Sequence, residues 1–114
     1  MADCIFCKIA RGEIASTKVH EDELVVAFRD INPQAPTHVV LIPRRHVASL
    51  DALVQADDAI IGHLVRTAAE IAQKERIAGL GYRLVSNCGP AAGQSVEHVH
   101  FHLLGGRSMR WPPG

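Results

Sequence analysis

His98-Val99-His100-Phe101-His102-Leu103-Leu104 alternates imidazole with apolar side chains and ends on a leucine pair. Successive side chains of an extended strand point to opposite faces. The pattern therefore predicts a strand over residues 97–104. His98, His100 and His102 share one face of it, about 7 Å apart, and Val99, Phe101 and Leu103 share the other. One strand then carries an imidazole row on one side and core on the other, and its core face calls for a helix to pack against. That helix lies upstream. Ile60, Ile61, Leu64, Val65, Ala68, Ile71 and Ala72 recur at three- and four-residue spacing, which makes one apolar stripe. Asp57 and Asp58 stand near its start, where carboxylates suit the helix dipole. Lys74 and Arg76 stand near its end, and Gly79 is the expected cap. His63 falls on the outer side of this helix and is given no role.

The remaining segments read as short strands and loops. Residues 5–10 are apolar at helical spacing and stop at Gly12, which predicts a short N-terminal helix. Strands are expected near residues 18–20 and 25–28, with Glu21-Asp22-Glu23 as a polar turn between them. Residues 31–36 hold two prolines and form a loop. Val39-Val40-Leu41-Ile42 is a continuous β-rich run stopped by Pro43, which suits a central strand buried on both faces. Residues 82–86 read as a further strand. Gly89, Pro90 and Gly93 make residues 87–95 a loop. The tail from Met109 holds the only tryptophan, Trp111, beside Pro112 and Pro113. It cannot form regular structure, and a tryptophan is costly to leave exposed, so a tail of this kind is expected to pack on a partner subunit. The whole is one α+β domain, residues 1–114, without internal repeats.

Composition bounds the function. A chain of 114 residues with 47 % hydrophobic residues can bury one core. Twelve Lys+Arg balance twelve Asp+Glu, so the formal net charge is zero. That argues against broad electrostatic binding to nucleic acid or to an anionic membrane. No apolar run approaches the roughly 20 residues that span a bilayer. Met1-Ala2-Asp3-Cys4 lacks the basic-then-apolar pattern of an export signal, and a cytoplasmic location is the expectation. The three cysteines, Cys4, Cys7 and Cys88, are an odd number and argue against a disulfide framework. Cys88 reads as a small buried apolar residue. Cys4 and Cys7 form a CxxC pair, a signal for metal or redox chemistry. No thioredoxin-like βαβ pattern surrounds them, which disfavours the redox reading. A single CxxC is a weak zinc signal by spacing alone.

An imidazole row supports two chemistries. It can ligate a metal, or it can supply a nucleophile with acid–base partners. The preceding loop, Gly89-Pro90-Ala91-Ala92-Gly93-Gln94-Ser95, is small and flexible and can turn backbone N–H groups toward an anion. Gln94 and Ser95 add side-chain donors. A phosphate held there would sit beside the histidines.

At this point the chain resembles the histidine triad (HIT) family. His98-Val99-His100-Phe101-His102-Leu103-Leu104 is similar to its H-φ-H-φ-H-φ-φ motif, where φ is apolar. Cys4-Ile5-Phe6-Cys7-Lys8-Ile9 resembles the family's N-terminal segment. Asp30-Ile31 followed by Pro33-Gln34-Ala35-Pro36-Thr37-His38 resembles its ribose-binding loop, and Ile42-Pro43-Arg44-Arg45-His46 fits as well. Gly93-Gln94-Ser95, Gly105-Gly106-Arg107 and Trp111-Pro112-Pro113-Gly114 are similar to the branch of histidine triad nucleotide-binding proteins, which are purine nucleoside phosphoramidases. The likeness spans nearly the whole chain.

The resemblance implies a HIT-like α+β fold: an antiparallel sheet of about five strands, one long helix and a short N-terminal helix. It implies that His100 attacks the α-phosphorus of a purine nucleoside phosphoramidate, with release of the nucleoside monophosphate by water. His102, Ser95 and His38 complete the catalytic set. Histidine rather than glutamine at 102 points to hydrolysis rather than transfer. Asp30 would accept from the ribose hydroxyls, with Ile5, Phe6, Phe28 and Ile31 around the base. Asn87, Gly93, Gln94 and Ser95 would lie near the phosphate. A structural zinc on Cys4, Cys7, His46 and His98 is implied, which removes His98 from catalysis, and no organic cofactor is. A homodimer with Trp111 near the partner's site is also implied. Glu97 departs from the aromatic residue often found before the triad and is expected to affect substrate preference. Rival readings are a nucleotide-binding adaptor with slow residual hydrolysis, a dinucleoside polyphosphate hydrolase, and a metallohydrolase that uses the triad as ligands.

Overall fold

Alternation in the central strands sorts the core into two layers, and a computed structural model, which describes residues 4–114, shows both. The reading of Met1, Ala2 and Asp3 lies outside the described residues. Strand β1 is Lys18–Glu21, β2 is Val25–Arg29, β3 is Thr37–Pro43, β4 is Tyr82–Val85 and β5 is Phe101–Gly105. They form one antiparallel sheet in the order β1-β2-β3-β5-β4. Every residue of β3 is buried, as expected for the strand at the centre. Val25, Ala27, Val39, Leu41 and Leu103 face one way and pack on the long helix α2, Asp58–Lys74, through Leu64, Ala68, Ile71 and Ala72. Val26, Phe28, Val40 and Ile42 face the other way and pack on the short helix α1, Ile5–Ala10, through Ile9 and Ala10. The period of two thus puts a helix on each side.

Four sequence expectations need correction. First, β5 starts at Phe101 rather than at residue 97. The Val99 amide donates to Val47 O at 2.6 Å, so this segment leaves the ladder for the loop after β3. The His100 carbonyl accepts from Ser86 Oγ at 2.7 Å instead of from a strand amide. Second, Gly79 does not cap α2. Arg76 takes the left-handed conformation, with φ of 61°. The Ile77 amide reaches Ala72 O at 3.0 Å and the Arg76 amide reaches Gln73 O at 3.1 Å, the paired bonds of a Schellman motif. Third, His63 is half-buried and bonded to Asp22 rather than free on the outer side. Cys88 is likewise half-buried and not fully buried.

Among the described residues no helix is long and apolar enough to cross a membrane.

Candidate active site and metal centre

The open side of the sheet, next to α1, carries a cleft of about 590 Å³. His100 and His102 lie in its wall with Ser95, and Asp30 and Ile31 border it at the end of β2. Phe6 and Phe28 meet edge to face at 5.6 Å between ring centroids, which makes an apolar floor. Ile5 is 46 % exposed and Ile31 fully exposed, so both offer apolar surface to whatever enters. Sequence reasoning missed Ile14, Ala15, Ser16, Thr17 and Arg29, which also line the cleft. The segment between α1 and β1 has no periodicity to mark it. Val40 was legible as core, and its place opposite His102 follows only from the β3–β5 register.

Three expected residues stand elsewhere. Asn87, Gly93 and Gln94 are not in the cleft wall. Gln94 accepts from the Gly89 amide at 2.9 Å and donates to Ala48 O and Val96 O, so its side chain braces the loop that presents Ser95. Gly93 closes the turn Pro90–Ala92 with φ of 85°, a conformation that favours glycine.

Hydrogen bonds fix the protonated nitrogen of each site histidine. A carbonyl can only accept, so the 2.7 Å contact from His100 Nδ1 to His98 O puts a proton on Nδ1. In the neutral ring the lone pair is then on Nε2. The Gln34 amide donates to His38 Nδ1 at 3.0 Å, so neutral His38 carries its proton on Nε2. That nitrogen is 2.9 Å from His102 Nδ1, which must therefore accept. Neutral His102 is left with its proton on Nε2, free for a substrate. Asp30 stands 3.4 Å from His38 Nε2. Burial lowers the pKa of His38, against the attraction of Asp30. Burial, with repulsion from His100 and His38, lowers that of His102, again against Asp30. Both rings are neutral near pH 7.

His98 belongs to a different centre. It is fully buried, and Cys4, Cys7, His46 and His98 bring all four ligand atoms within 4.8 Å of one another. Nδ1 of His98 lies 3.4 Å from Cys4 Sγ and 3.2 Å from His46 Nδ1, and Cys7 Sγ lies 3.4 Å from His46 Nδ1. The edges of a tetrahedron with zinc–nitrogen and zinc–sulfur spokes are about 3.3–3.8 Å, so the cluster fits a zinc ion. The outer shell fits as well: His98 Nε2 donates to Pro43 O at 2.8 Å, which leaves Nδ1 as the ligand. Burial and the neighbouring Cys4 raise the pKa of the Cys7 thiol, and a divalent cation is the group that would let both sulfurs ionise. The triad is thus divided, with His100 and His102 at the cleft and His98 in the metal centre behind it.

Comparison with known proteins agrees with this geometry. The sequence matches the HIT domain over residues 11–109. The chain belongs to the HIT domain family. It is 51 % identical over 112 residues to an uncharacterised HIT-like protein of Synechococcus elongatus, covering 98 % of this chain and 97 % of that one. It is 52 % identical to a 14 kDa zinc-binding protein of Zea mays, covering 96 % and 87 % of the two chains. The crystal structure of a HIT family hydrolase from Legionella pneumophila superposes with a TM-score of 0.97 at 49 % identity, over 98 % of this chain and all of that one.

Proposed function

We propose that this HIT protein is a nucleotide-binding hydrolase that cleaves the P–N bond of purine nucleoside phosphoramidates. The observation that carries the reading is the fixed tautomer of His100. Its Nδ1–H is held by the His98 carbonyl, so the Nε2 lone pair faces the cleft as a nucleophile without a separate base. His100 Nε2 forms a bond to the α-phosphorus as the P–N bond breaks. The leaving nitrogen takes a proton and departs as the free amine. That proton comes from solvent. His102 Nε2–H, kept in that tautomer by His38, donates a hydrogen bond to the leaving group and stays neutral, and the attacking water returns a proton to solvent in the second step. Water then attacks the nucleotidyl-histidine and releases the nucleoside monophosphate, regenerating neutral His100.

Binding follows the same wall. Phe6, Phe28, Ile5 and Ile31 give the purine an apolar slot, and the Asp30 carboxylate accepts from the ribose hydroxyls. Ser95, at the end of the braced loop, donates to the phosphate, with Asn87, Gly93 and Gln94 shaping the loop behind it. Zinc on Cys4, Cys7, His46 and His98 supplies a structural clamp that holds α1 to the segment carrying His98. The reading includes a cytoplasmic homodimer. β4 is an edge strand, and Trp111, 82 % exposed in one chain, would reach toward the partner's site.

The test is steady-state hydrolysis of an adenosine phosphoramidate. The wild type should turn over, and His100→Ala should lose at least about 10³-fold in kcat, since it removes the attacking atom. Equal turnover by the two proteins would remove His100 as the nucleophile.

A further inference from the structure

Outside the cleft and the zinc cluster, three further groups meet where the β1–β2 turn packs on α2. His20 lies in β1, Asp22 in the turn to β2, and His63 in the second turn of α2. His20 Nε2 is 2.6 Å from Asp22 Oδ2, and His63 Nε2 is 2.7 Å from the same oxygen. The three ligand atoms lie within 4.8 Å of one another. We propose that His20, Asp22 and His63 form a second divalent-metal site, for zinc or a cation of similar preference, that ties α2 to the β1–β2 turn.

Two imidazole nitrogens and one carboxylate oxygen are the donor set that suits zinc, cobalt, nickel or copper rather than magnesium or calcium. The carboxylate is already oriented for one-oxygen ligation. Its Oδ1 accepts from the amides of Leu24 and Val25 at 2.8 and 2.9 Å, which leaves Oδ2 to the cation. The side chains are 24 %, 28 % and 27 % exposed. Water therefore reaches the cluster and can complete a fourth position, as in sites with three protein ligands. Ligation requires the donors to spread from hydrogen-bond separation to about 3.3 Å, the edge of a tetrahedron with 2.0 Å spokes. For each ring–carboxylate pair that is a widening of under 1 Å.

The protons balance without an external base. In the hydrogen-bonded form each neutral ring donates from Nε2. In the metal form each ring carries its proton on Nδ1, and Nε2 binds the cation. One neighbour opposes this. Arg66 Nη2 lies 3.4 Å from His63 Nδ1 and must turn away when that nitrogen becomes a donor. Its side chain is 66 % exposed and free to do so. Arg66→Ala should accordingly tighten the site.

The experiment is calorimetric titration of Zn²⁺ into full-length protein that already holds one zinc equivalent by metal analysis. One further equivalent should bind. His63→Asn and His20→Asn should each weaken it by at least about tenfold, and His102→Asn should leave it in place. Side-chain ¹⁵N NMR should show Nε2 of His20 and His63 shifting to the coordinated range on addition of that equivalent. Absence of a second equivalent would overturn the proposal and leave a hydrogen-bonded clasp. Loss of it in His102→Asn with retention in His63→Asn would also overturn the proposal, because the cation would then sit on Asp30, His38 and His102. Should His63→Asn unfold, the edge-strand variant His20→Asn and the NMR shifts decide alone.

Discussion

His100 and His102 differ in what their neighbours do to them, although the sequence repeats one residue type. His100 has a backbone carbonyl against Nδ1, and His102 has another imidazole there. That difference leaves His100 with a free Nε2 lone pair and His102 with a free Nε2–H, the pairing that the proposed mechanism uses. It also sets a pH dependence. Burial holds the pKa of His38 and His102 below the ordinary value of 6.5, so kcat/KM should stay level down to about pH 6.5 and fall below it as the pair takes up a proton. Asp30 raises both pKa values. Asp30→Asn should therefore move the acid limb to lower pH, which a pH–rate profile measures. A shift to higher pH would contradict the arrangement. At the same scale, the Thr67 hydroxyl is buried without a partner among the described residues. Thr67→Val should be neutral or stabilising by up to about 1 kcal/mol in urea unfolding. The residue types of the site were legible in the sequence. The proton positions were not, because they are set by Gln34, His38 and the His98 carbonyl, groups that only the fold brings together.

At the scale of elements, the alternating histidines were legible as a strand with two faces, and its core side holds at Leu103. The strand is shorter than the alternation because His98 is drawn into the cysteine cluster, a contact between opposite ends of the chain that no local pattern encodes. The end of α2 shows a similar limit. A glycine stood near the expected terminus, yet the chain turns at Arg76, where the Schellman bonds and the packing of Ile77 outweigh a non-glycine left-handed residue. Gly105 then lies under Ile77. A Cβ there would stand 2.5 Å from Ile77 Cδ1 and 2.9 Å from its Cβ. Gly105→Ala should cost about 1–3 kcal/mol by overpacking, and Ile77→Ala should relieve part of that loss in a double-mutant cycle. The Arg29–Glu75 pair joins β2 to the end of α2 through two bonds of 2.9 and 3.0 Å. The hydrogen bond from Arg29 holds the pKa of Glu75 below the ordinary carboxylate value of 4.5. Its contribution is present above that pH and is lost as pH falls through the folded value. Glu75→Gln should cost about 0.5–1 kcal/mol at pH 7, since Arg29 is partly exposed, and nothing in strong acid.

On the scale of the whole molecule, the zinc cluster joins α1, the segment after β3 and the approach to β5 at one point. Chelation should lower the thermal midpoint by about 10 °C or more, corresponding to a loss of roughly 2 kcal/mol, and refilling with zinc should restore it. An unchanged midpoint after verified metal removal would contradict a structural role. The layered fold and the motif were readable because each is repeated along the chain: period two in the strands, period near 3.6 in α2, and imidazoles at every second residue. The far wall of the cleft, residues 14–17, was not readable, because irregular backbone carries no period. The central claim is covalent transfer to His100. The most direct measurement is acid quench of the wild type during turnover of an adenosine phosphoramidate, followed by peptide mass spectrometry. The account predicts an added adenylyl group on the peptide at His100, absent in His100→Ala. Turnover without that adduct, or an adduct on another histidine, would contradict it.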